Sequence, residues 1–484
     1  MPVSVRFQPA AATPALGEGF FDRVAPARFP TTVLRFKNQR WAERVGLGEL
    51  TDDEWLEHFA RFSPLPGSLS EPLALRYHGY QFRAYNPGLG DGRGFLHAQL
   101  RDPEDGRLLD LGTKGSGRTP WSRDGDGRLT LKGGVREVLA TEMLEALGVE
   151  TSKTWSLVET GEDLMRGDEP SPTRSSVLVR LSHGHVRFGS FERHAHARDV
   201  ERLRTLLDFA VTHYFPALAD LPIAERPVRF FREVARRSAA LVASWTVAGF
   251  VHGVLNTDNM NVTGESFDYG PYRFLPSYDP AFVAAYFDHT GLYAFGRQVE
   301  AVRWNLERLS AALEPLAPGA PLTRELTDFE PRVLRLFHLG FLRRLGVTSL
   351  DPVLDSVLVS RCLCFLETSR VGYDRFFFDW YGGRVSESRA KAGAAGAPYG
   401  GEKWAAVERE LFAREPTHHG RLADAYYARP APCALLIDEI EAIWAAIAQR
   451  DDWAPFEAKV AEIRAFARLH DRGPDGAAEP LPEL

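Results

Sequence analysis

The sequence has 484 residues, of which 44% are hydrophobic and 25% are charged. A chain of this length and composition can bury a large apolar core, which excludes a fibrous, a disordered or a disulfide-stapled protein. Its 58 basic and 65 acidic residues give a formal net charge of −7, so the overall charge does not favour a nucleic-acid partner. Three cysteines cannot form a disulfide framework, and no apolar run reaches the roughly 18 residues that span a membrane. We therefore predict a cytoplasmic protein with no membrane and no nucleic-acid partner.

The first part of the chain is predicted to form strands and turns. Between residues 76 and 182, clusters of glycine and aspartate separate short β-prone runs. One helix interrupts these runs, because apolar residues recur at three- and four-residue spacing over residues 135–147 and Gly148 follows as a stop signal. The predicted strands are residues 80–85, 95–100, 108–112, 154–158 and 177–181.

Helical patterns dominate the chain after about residue 197, and residues 384–401 are a Gly/Ala/Ser-rich segment predicted to be a loop. The predicted helices are residues 200–214, 228–247, 299–313, 322–345, 354–368, 404–411, 434–447 and 456–469. Strands followed by helices predict an α+β fold with a β-rich lobe, a larger helical lobe and a ligand cleft between them. The predicted division is an N-terminal extension with the β-rich lobe (1–195), a helical lobe (196–384), a C-terminal helical extension (385–470) and a disordered tail (471–484).

Two glycine-rich segments, residues 86–94 and 114–128, follow predicted strands. Glycines let backbone amides come close to an anion, and Arg93 could add positive charge. Each segment alone is compatible with a plain hairpin turn, but two such loops about twenty residues apart together favour a polyphosphate site. Neither segment has the spacing of a Walker A loop or of a dinucleotide-binding fingerprint.

Lys114 ends a predicted strand, and Glu137 lies near the start of the predicted helix 135–147. A strand lysine paired with a helix glutamate is the arrangement by which protein kinases hold nucleotide phosphates. Only seven of the 58 basic residues are lysines, so a lysine in this position draws attention. The alternative is that Glu137 is a solvated carboxylate favoured by the helix dipole.

The segment from His252 to Asn259, followed by Asp268-Tyr-Gly, has the spacing of the kinase catalytic loop and the later Asp-Phe-Gly motif. Asn and Asp side chains supply the hard oxygen ligands that suit Mg²⁺ bound to phosphates. The kinase base would fall at Val254, which cannot accept a proton, so Asp258 is the natural replacement. The alternative is a turn capped by its Asn and Asp side chains.

Arginine and cysteine add weaker signals. Arg180 and Arg187 could bind phosphate oxygens through their guanidinium groups, although most arginines in an arginine-rich chain lie on the surface. Cys362 and Cys364 lie in an apolar helical run, so we predict that both are core residues.

With these motifs in order, the sequence resembles the selenoprotein O (SelO, or YdiU-like) family of pseudokinases. The resemblance extends over about residues 25–470, and the Gly-Asp-Gly-Arg and Asn-Thr-Asp-Asn strings are its most specific parts. The matching segments are residues 86–93, 114–128, 136–137, 187–192, 252–260, 268–271, 278–280 and 304–306.

The resemblance implies a protein-kinase-like, two-lobed fold that binds ATP in a flipped orientation and transfers AMP to Ser, Thr or Tyr hydroxyls of proteins. It implies that Asp258 accepts the proton, that Asn259 and Asp268 bind Mg²⁺ or Mn²⁺, and that Glu137 pairs with Lys114. The implied nucleotide contacts are Gly90, Gly92, Arg93, Lys114, Asp126, Gly127, Arg180, Arg187 and Asp268.

Two departures and three rival functions remain open. The family's Gly-His-Gln-Phe-Gly string is Gly-Tyr-Gln-Phe-Arg at residues 79–83, and the C-terminal cysteine motif of many members is absent, so a redox switch is not expected. The rivals are uridylyl transfer from UTP with Mn²⁺, true kinase activity with Asp258 as a shifted base, and a non-catalytic nucleotide-binding scaffold. The intact set of Lys114, Glu137, Asn259 and Asp268 argues against the scaffold.

Overall fold

A computed structural model describes residues 3–167 and 169–471. The strands are β1 Gln8–Ala10, β2 Phe21–Arg23, β3 Val33–Lys37, β4 Leu73–Leu75, β5 Gly79–Gln81, β6 Ala84–Asn86, β7 Leu96–Arg101, β8 Leu108–Lys114, β9 Leu129–Thr130, β10 Lys153–Leu164, β11 Thr173–Ser182, β12 Phe250–Val251 and β13 Arg273–Phe274. The helices are α1 Gln39–Arg44, α2 Asp52–Phe59, α3 Leu131–Ala146, α4 Phe188–His196, α5 Val200–Tyr214, α6 Arg226–Ala248, α7 Gln298–Leu313, α8 Phe329–Leu345, α9 Pro352–Ser369, α10 Tyr373–Asp379, α11 Glu387–Ala392, α12 Glu402–Leu411, α13 Ile437–Arg450 and α14 Ala454–Leu469. A large sheet followed by many helices confirms the predicted α+β class.

The sheet is antiparallel, with strand order β2-β4-β7-β8-β11-β10-β3, while β1 and β9 pair with β7 and β11. Its register matters for function. Lys114 pairs with Leu178, and Arg180 pairs with Gly112. Because side chains alternate along a strand and paired residues share a face, Lys114 and Arg180 project from the same face of the sheet.

Helix α3 packs on that sheet and positions Glu137. The Thr130 hydroxyl caps the helix by accepting a hydrogen bond from the Gly133 N–H. A Cβ at Gly134 would lie 2.3 Å from Leu157 Cδ1, so glycine lets the helix come close to β10. The helix begins four residues before the predicted boundary, which places Glu137 in its second turn and away from the helix dipole at its N-terminus.

Helix α6 positions the chain segment that follows it. Gly249 adopts a left-handed conformation (φ 67°) and ends the helix, as glycine commonly does. The two short strands β12 and β13 pair directly afterwards. They enclose residues 252–272, so Asp258 and Asp268 lie in one loop whose two ends are fixed.

The C-terminal helices α13 and α14 return to the sheet side of the molecule. Arg464 donates two hydrogen bonds of 2.8 Å to Glu142 of α3, and Lys132 bonds Glu441 of α13 at 2.7 Å. These ion pairs hold α3 in position. Within residues 3–167 and 169–471, no helix is both long and apolar enough to cross a membrane.

Several predicted elements differ from the structure. Residues 80–85 form the tip of the β5–β6 hairpin instead of one strand, and residues 322–345 break into a 3₁₀ turn and α8. The predicted loop 384–401 contains α11, because its alanines favour a helix. Of the predicted disordered tail, residues 471–484, all but the first lie outside the described residues.

The prediction for Cys364 is wrong, because this side chain is exposed while Cys362 is buried. The apolar composition of this helical run did not show which of its residues face solvent. Residues two positions apart in a helix point in different directions, so Cys362 and Cys364 differ in burial.

Candidate active site

The described residues enclose a cavity of about 710 Å³ between the sheet, the two glycine-rich loops and the 252–272 loop. Glu137 lies directly behind its wall, bonded to Lys114. The remaining predicted site residues all line it: Gly90, Gly92, Arg93, Lys114, Asp126, Gly127, Arg180, Arg187, Asp258, Asn259 and Asp268.

The two glycine-rich loops fit against each other. A Cβ at Gly90 would lie 2.3 Å from Trp121 Cγ, and a Cβ at Gly92 would lie 2.8 Å from the Trp121 carbonyl oxygen. The Thr119 hydroxyl donates a 2.5 Å hydrogen bond to the Asp91 carbonyl. Gly127 has a left-handed φ of 71°. The glycines are therefore required by close backbone approach, and together the loops form one wall of the cavity.

Lys114 bridges the sheet, α3 and the 252–272 loop. Its ammonium group contacts the Glu137 carboxylate and donates a 2.6 Å hydrogen bond to Asp268 Oδ1. Both Lys114 and Glu137 are buried, with 5% and 3% of their surface exposed. The alternative of a solvated Glu137 is therefore wrong, because the register of β8 brings a lysine beneath the helix.

Asp268 is surrounded by positive charge. Burial alone would raise its pKa, but Lys114, Arg180, Arg93 and Arg187 together hold that pKa well below its ordinary value. Arg180 Nη1 lies 3.9 Å from Asp268 Oδ1, and its Nε and Nη1 atoms are buried without a hydrogen-bond partner among the described residues. The Asp268 carboxylate alone does not satisfy all the hydrogen-bond donors of the surrounding lysine and arginines. These cations can therefore bind a further anion.

Asp258 lies on the 3₁₀ turn Thr257–Asn259. Its side chain is buried, and its Oδ1 has no hydrogen-bond partner among the described residues. Burial raises the pKa of Asp258 to about 6, with Arg187 opposing the shift. A carboxylate with that pKa can accept a proton near neutral pH.

Arg187 and Asn259 support this turn. The Arg187 guanidinium donates a 2.9 Å hydrogen bond to the Asp258 carbonyl and lies 3.3 Å from Asp91 Oδ1. Asn259 donates through Nδ2 to the Val254 carbonyl at 3.0 Å. This orientation leaves Asn259 Oδ1 buried without a hydrogen-bond partner in the described part of the chain. An amide oxygen left free in this way is available to a cation.

Asp126, an implied nucleotide contact, lines the cavity, and its carboxylate accepts hydrogen bonds from neighbouring residues. Arg166 donates two hydrogen bonds to it, at 2.8 and 3.1 Å, and the Arg128 N–H donates a third at 2.9 Å. The carboxylate therefore orders the second glycine-rich loop and brings Arg166 to the cavity.

Sequence reasoning missed three supporting residues. Asp91 pairs with Arg187, Asn256 accepts hydrogen bonds from the Phe82 N–H and the Tyr293 hydroxyl, and Glu192 accepts a 2.7 Å hydrogen bond from Thr257. Burial raises the pKa of Glu192 to about 8. All three residues lie inside the quoted motifs, which was the only signal for them, because their partners come from distant parts of the chain.

Comparison with known proteins identifies the family of this chain. The family model of the protein adenylyltransferase SelO matches residues 3–464. The protein nucleotidyltransferase YdiU of Synechocystis is 44% identical over 478 residues, covering 96% of this chain and 98% of its own. Proteins of the same name from Gloeobacter violaceus and Trichormus variabilis are 46% and 42% identical, covering 95% and 96% of both chains. The chain therefore belongs to the SelO family, and it is a nucleotidyltransferase.

Proposed function

We propose that the protein transfers AMP from ATP to Ser, Thr or Tyr hydroxyls of other proteins and releases pyrophosphate. One observation carries the proposal: a single cavity combines a surplus of buried cationic hydrogen-bond donors around Asp268 with a separate, weakly compensated carboxylate at Asp258. The first arrangement suits a polyphosphate, and the second suits the proton of an attacking hydroxyl.

The nucleotide would lie in a cleft of protein-kinase type, between the sheet with its glycine-rich loops and the 252–272 loop. Gly90, Gly92 and Gly127 would let backbone groups approach the phosphates, while Arg93, Lys114, Arg180 and Arg187 would neutralise them. A volume of about 710 Å³ is within the range of cavities that bind small-molecule ligands.

In the transfer step, the acceptor oxygen forms a bond to the α-phosphorus of ATP. The bond from that phosphorus to the bridging oxygen breaks, and pyrophosphate leaves with the electron pair. Asp258 takes the proton of the hydroxyl. Arg187 positions Asp258 by donating a hydrogen bond to the main-chain carbonyl of Asp258. Glycine at position 79 leaves space for the Asp258 carboxylate, because a Cβ there would lie 3.0 Å from Asp258 Oδ1.

The residues present fit a divalent cation. The buried Oδ1 of Asn259 and the carboxylate of Asp268 both face the cavity and are hard oxygen donors. The described residues contain no cluster of three or more His, Cys, Asp or Glu side chains for a metal. A two-ligand set matches Mg²⁺ or Mn²⁺ bound jointly by protein and phosphates, and such a cation supplies charge neutralisation when bound.

Labelled nucleotides test the proposal. Protein acceptors incubated with ATP labelled at the α-phosphate should retain the label, and ATP labelled at the γ-phosphate should leave none. Retention of the γ-label would show that the protein is a kinase. Retention of neither label would show that it is a non-catalytic scaffold.

UTP labelled at the α-phosphate is the necessary third arm, with Mg²⁺ and with Mn²⁺. The relatives are named protein nucleotidyltransferase, and this name does not specify which nucleotide is transferred. Preferential retention of the UTP label would replace adenylyl by uridylyl transfer.

A further inference from the structure

Three large aromatic side chains are exposed side by side next to Gln81 and Asn256, which line the cavity. Phe82, Phe287 and Tyr286 have 38%, 40% and 76% of their surface exposed. The ring centroids of Phe82 and Phe287 lie 5.9 Å apart, and those of Tyr286 and Phe287 lie 5.1 Å apart. We call these three residues the aromatic rim. Contiguous exposed apolar surface of this kind typically marks an interaction site.

The hairpin tip fixes the rim relative to Asp258. The Phe82 N–H donates a 3.1 Å hydrogen bond to Asn256 Oδ1, and the Tyr80 N–H donates a 2.8 Å hydrogen bond to Thr257 Oγ1. Both acceptors immediately precede Asp258. Phe82 is therefore held against the turn that carries the proposed proton acceptor.

The other half of the rim stands on an ordered loop. Asp288, which is buried, accepts hydrogen bonds from the N–H groups of Leu292 and Tyr293 at 2.9 and 2.8 Å. Tyr286 and Phe287 directly precede it, so their backbone is held in place. Aromatic residues on a rigid backbone lose little entropy when a partner binds, which is typical of binding hot spots.

The hairpin tip is also strained. Phe82 and Arg83 both adopt left-handed conformations, with φ of 50° and 64°, in the two-residue turn between β5 and β6. Such turns favour Asn-Gly or Gly-Gly, and unfavourable backbone conformations that persist are concentrated at functional sites. Here the conformation presents one aromatic and one cationic side chain beside the cavity.

The charge next to the rim is positive. Glu300 accepts from Arg83 at 2.8 Å and from Arg297 at 3.2 Å, so two guanidinium groups share one carboxylate. All three side chains are 41% exposed or more. An acidic group on a partner would complete this cluster.

We propose, on the basis of the proposed transfer to protein hydroxyls, that the aromatic rim docks an extended segment of the acceptor protein. The segment carries an apolar side chain and a neighbouring acidic one close to the modified hydroxyl. The reason is continuity: a hydroxyl that reaches the buried Asp258 brings its flanking residues onto the adjacent wall, where the rim and the Arg83–Glu300–Arg297 cluster lie.

Peptides with one acceptor Ser test the proposal, with Phe, Ala, Asp or Lys placed at each of the four positions on either side. The enzymes are the wild type, the double variant Y286S/F287S, R83G and the matched control L334S, since Leu334 is an exposed apolar residue of α8 with 54% of its surface exposed. The readouts are KM and kcat for α-labelled AMP transfer, together with ATP affinity by fluorescence titration.

For the wild type we expect KM to be at least tenfold lower for peptides with Phe at one position and Asp close to it. Y286S/F287S should lose the Phe preference by raising KM, with kcat changed less than twofold and ATP affinity unchanged, because the binding that is removed stabilises the ground state and the transition state equally. R83G, whose glycine suits the left-handed turn, should lose the Asp preference alone. L334S should behave as the wild type.

Equal KM values for Phe and Ala peptides, or an unchanged Phe preference in Y286S/F287S, would overturn the rim proposal while leaving AMP transfer intact. Failure of the wild type to transfer the α-label to any peptide or to α-casein would instead overturn the proposed function, and the rim proposal with it.

Discussion

Asp258 and Asp268 face the same cavity, yet their surroundings shift their pKa values in opposite directions. Burial disfavours the charged form of both carboxylates. Around Asp268, Lys114 and three arginines outweigh burial and keep the pKa well below its ordinary value. Around Asp258, Arg187 opposes burial only in part, and the pKa rises to about 6.

The difference separates two tasks that one type of side chain performs. A carboxylate that stays ionised among cations can bind a metal and balance charge, whereas one with a raised pKa can exchange a proton. The controlling variable is the number of nearby cations and not the residue type, and the first four predictions below test this contrast.

The largest effect is expected from Asp268→Asn, which removes the negative charge but tolerates the left-handed φ of 64° at this position. Transfer should fall by about 10³-fold or more, because metal and phosphate binding are both disturbed. Metal-dependent nucleotide binding, measured by titration with and without Mg²⁺, should weaken while the circular dichroism spectrum is preserved. Transfer at the wild-type rate would show that Asp268 does not bind the metal.

Asp258→Asn should lower kcat by about 10²- to 10³-fold, the range expected when a general base is removed. Nucleotide affinity should change little, because Arg187 bonds the main-chain carbonyl of Asp258, which the variant keeps. A variant with weakened ATP binding and normal kcat would place Asp258 on the phosphate side of the site and remove the contrast.

Lys114→Ala should reduce transfer by about 10²-fold, since it deletes the cation that joins Glu137 and Asp268. The matched control is Lys132→Ala, whose ammonium pairs with Glu441 away from the cavity and which should retain normal turnover. Similar activities of the two variants would show that Lys114 has only a structural role.

The pH dependence should separate the two carboxylates further. Transfer should fall about tenfold per pH unit below about pH 6, as Asp258 becomes protonated. Because the folded-state pKa is raised, the ionised carboxylate costs stability above pH 6, and the cost disappears towards pH 4. Asp258→Asn should therefore be more stable than the wild type by about 1–3 kcal/mol at pH 8 and equally stable at pH 4, as measured by urea unfolding. An equal difference at both pH values would contradict the raised pKa.

The smallest effect is expected from reductant. Burial raises the pKa of the Cys433 thiol to about 12 and raises that of Cys362, so neither is a reactive thiolate, and the exposed Cys364 lies on α9, outside the cavity lining. AMP transfer with and without dithiothreitol should differ less than twofold. A several-fold effect that vanishes in a variant lacking all three cysteines would reveal a redox switch.

Sequence patterns located the long helices well, because burial of one face imposes a regular spacing. Helix α5 has the predicted bounds, and α6, α7 and α9 extend one or two residues past theirs. Short elements were missed or merged. The hairpin β5–β6 carries Phe and Arg in its turn where glycine or asparagine would signal one, so it gave no turn signal.

The sequence by itself determined which residues could do chemistry. Its glycine loops, Lys114, the 252–259 string and Asp268 all lie around one cavity, as their order indicated. Only the tertiary structure decided how these residues differ. It buries Glu137 against Lys114 and pairs Asp126 with Arg166. It also shifts the pKa values of Asp258 and Asp268 in opposite directions. The physical reason is that burial and charge are sums over neighbours in space, and those neighbours come from strands, helices and loops far apart along the chain.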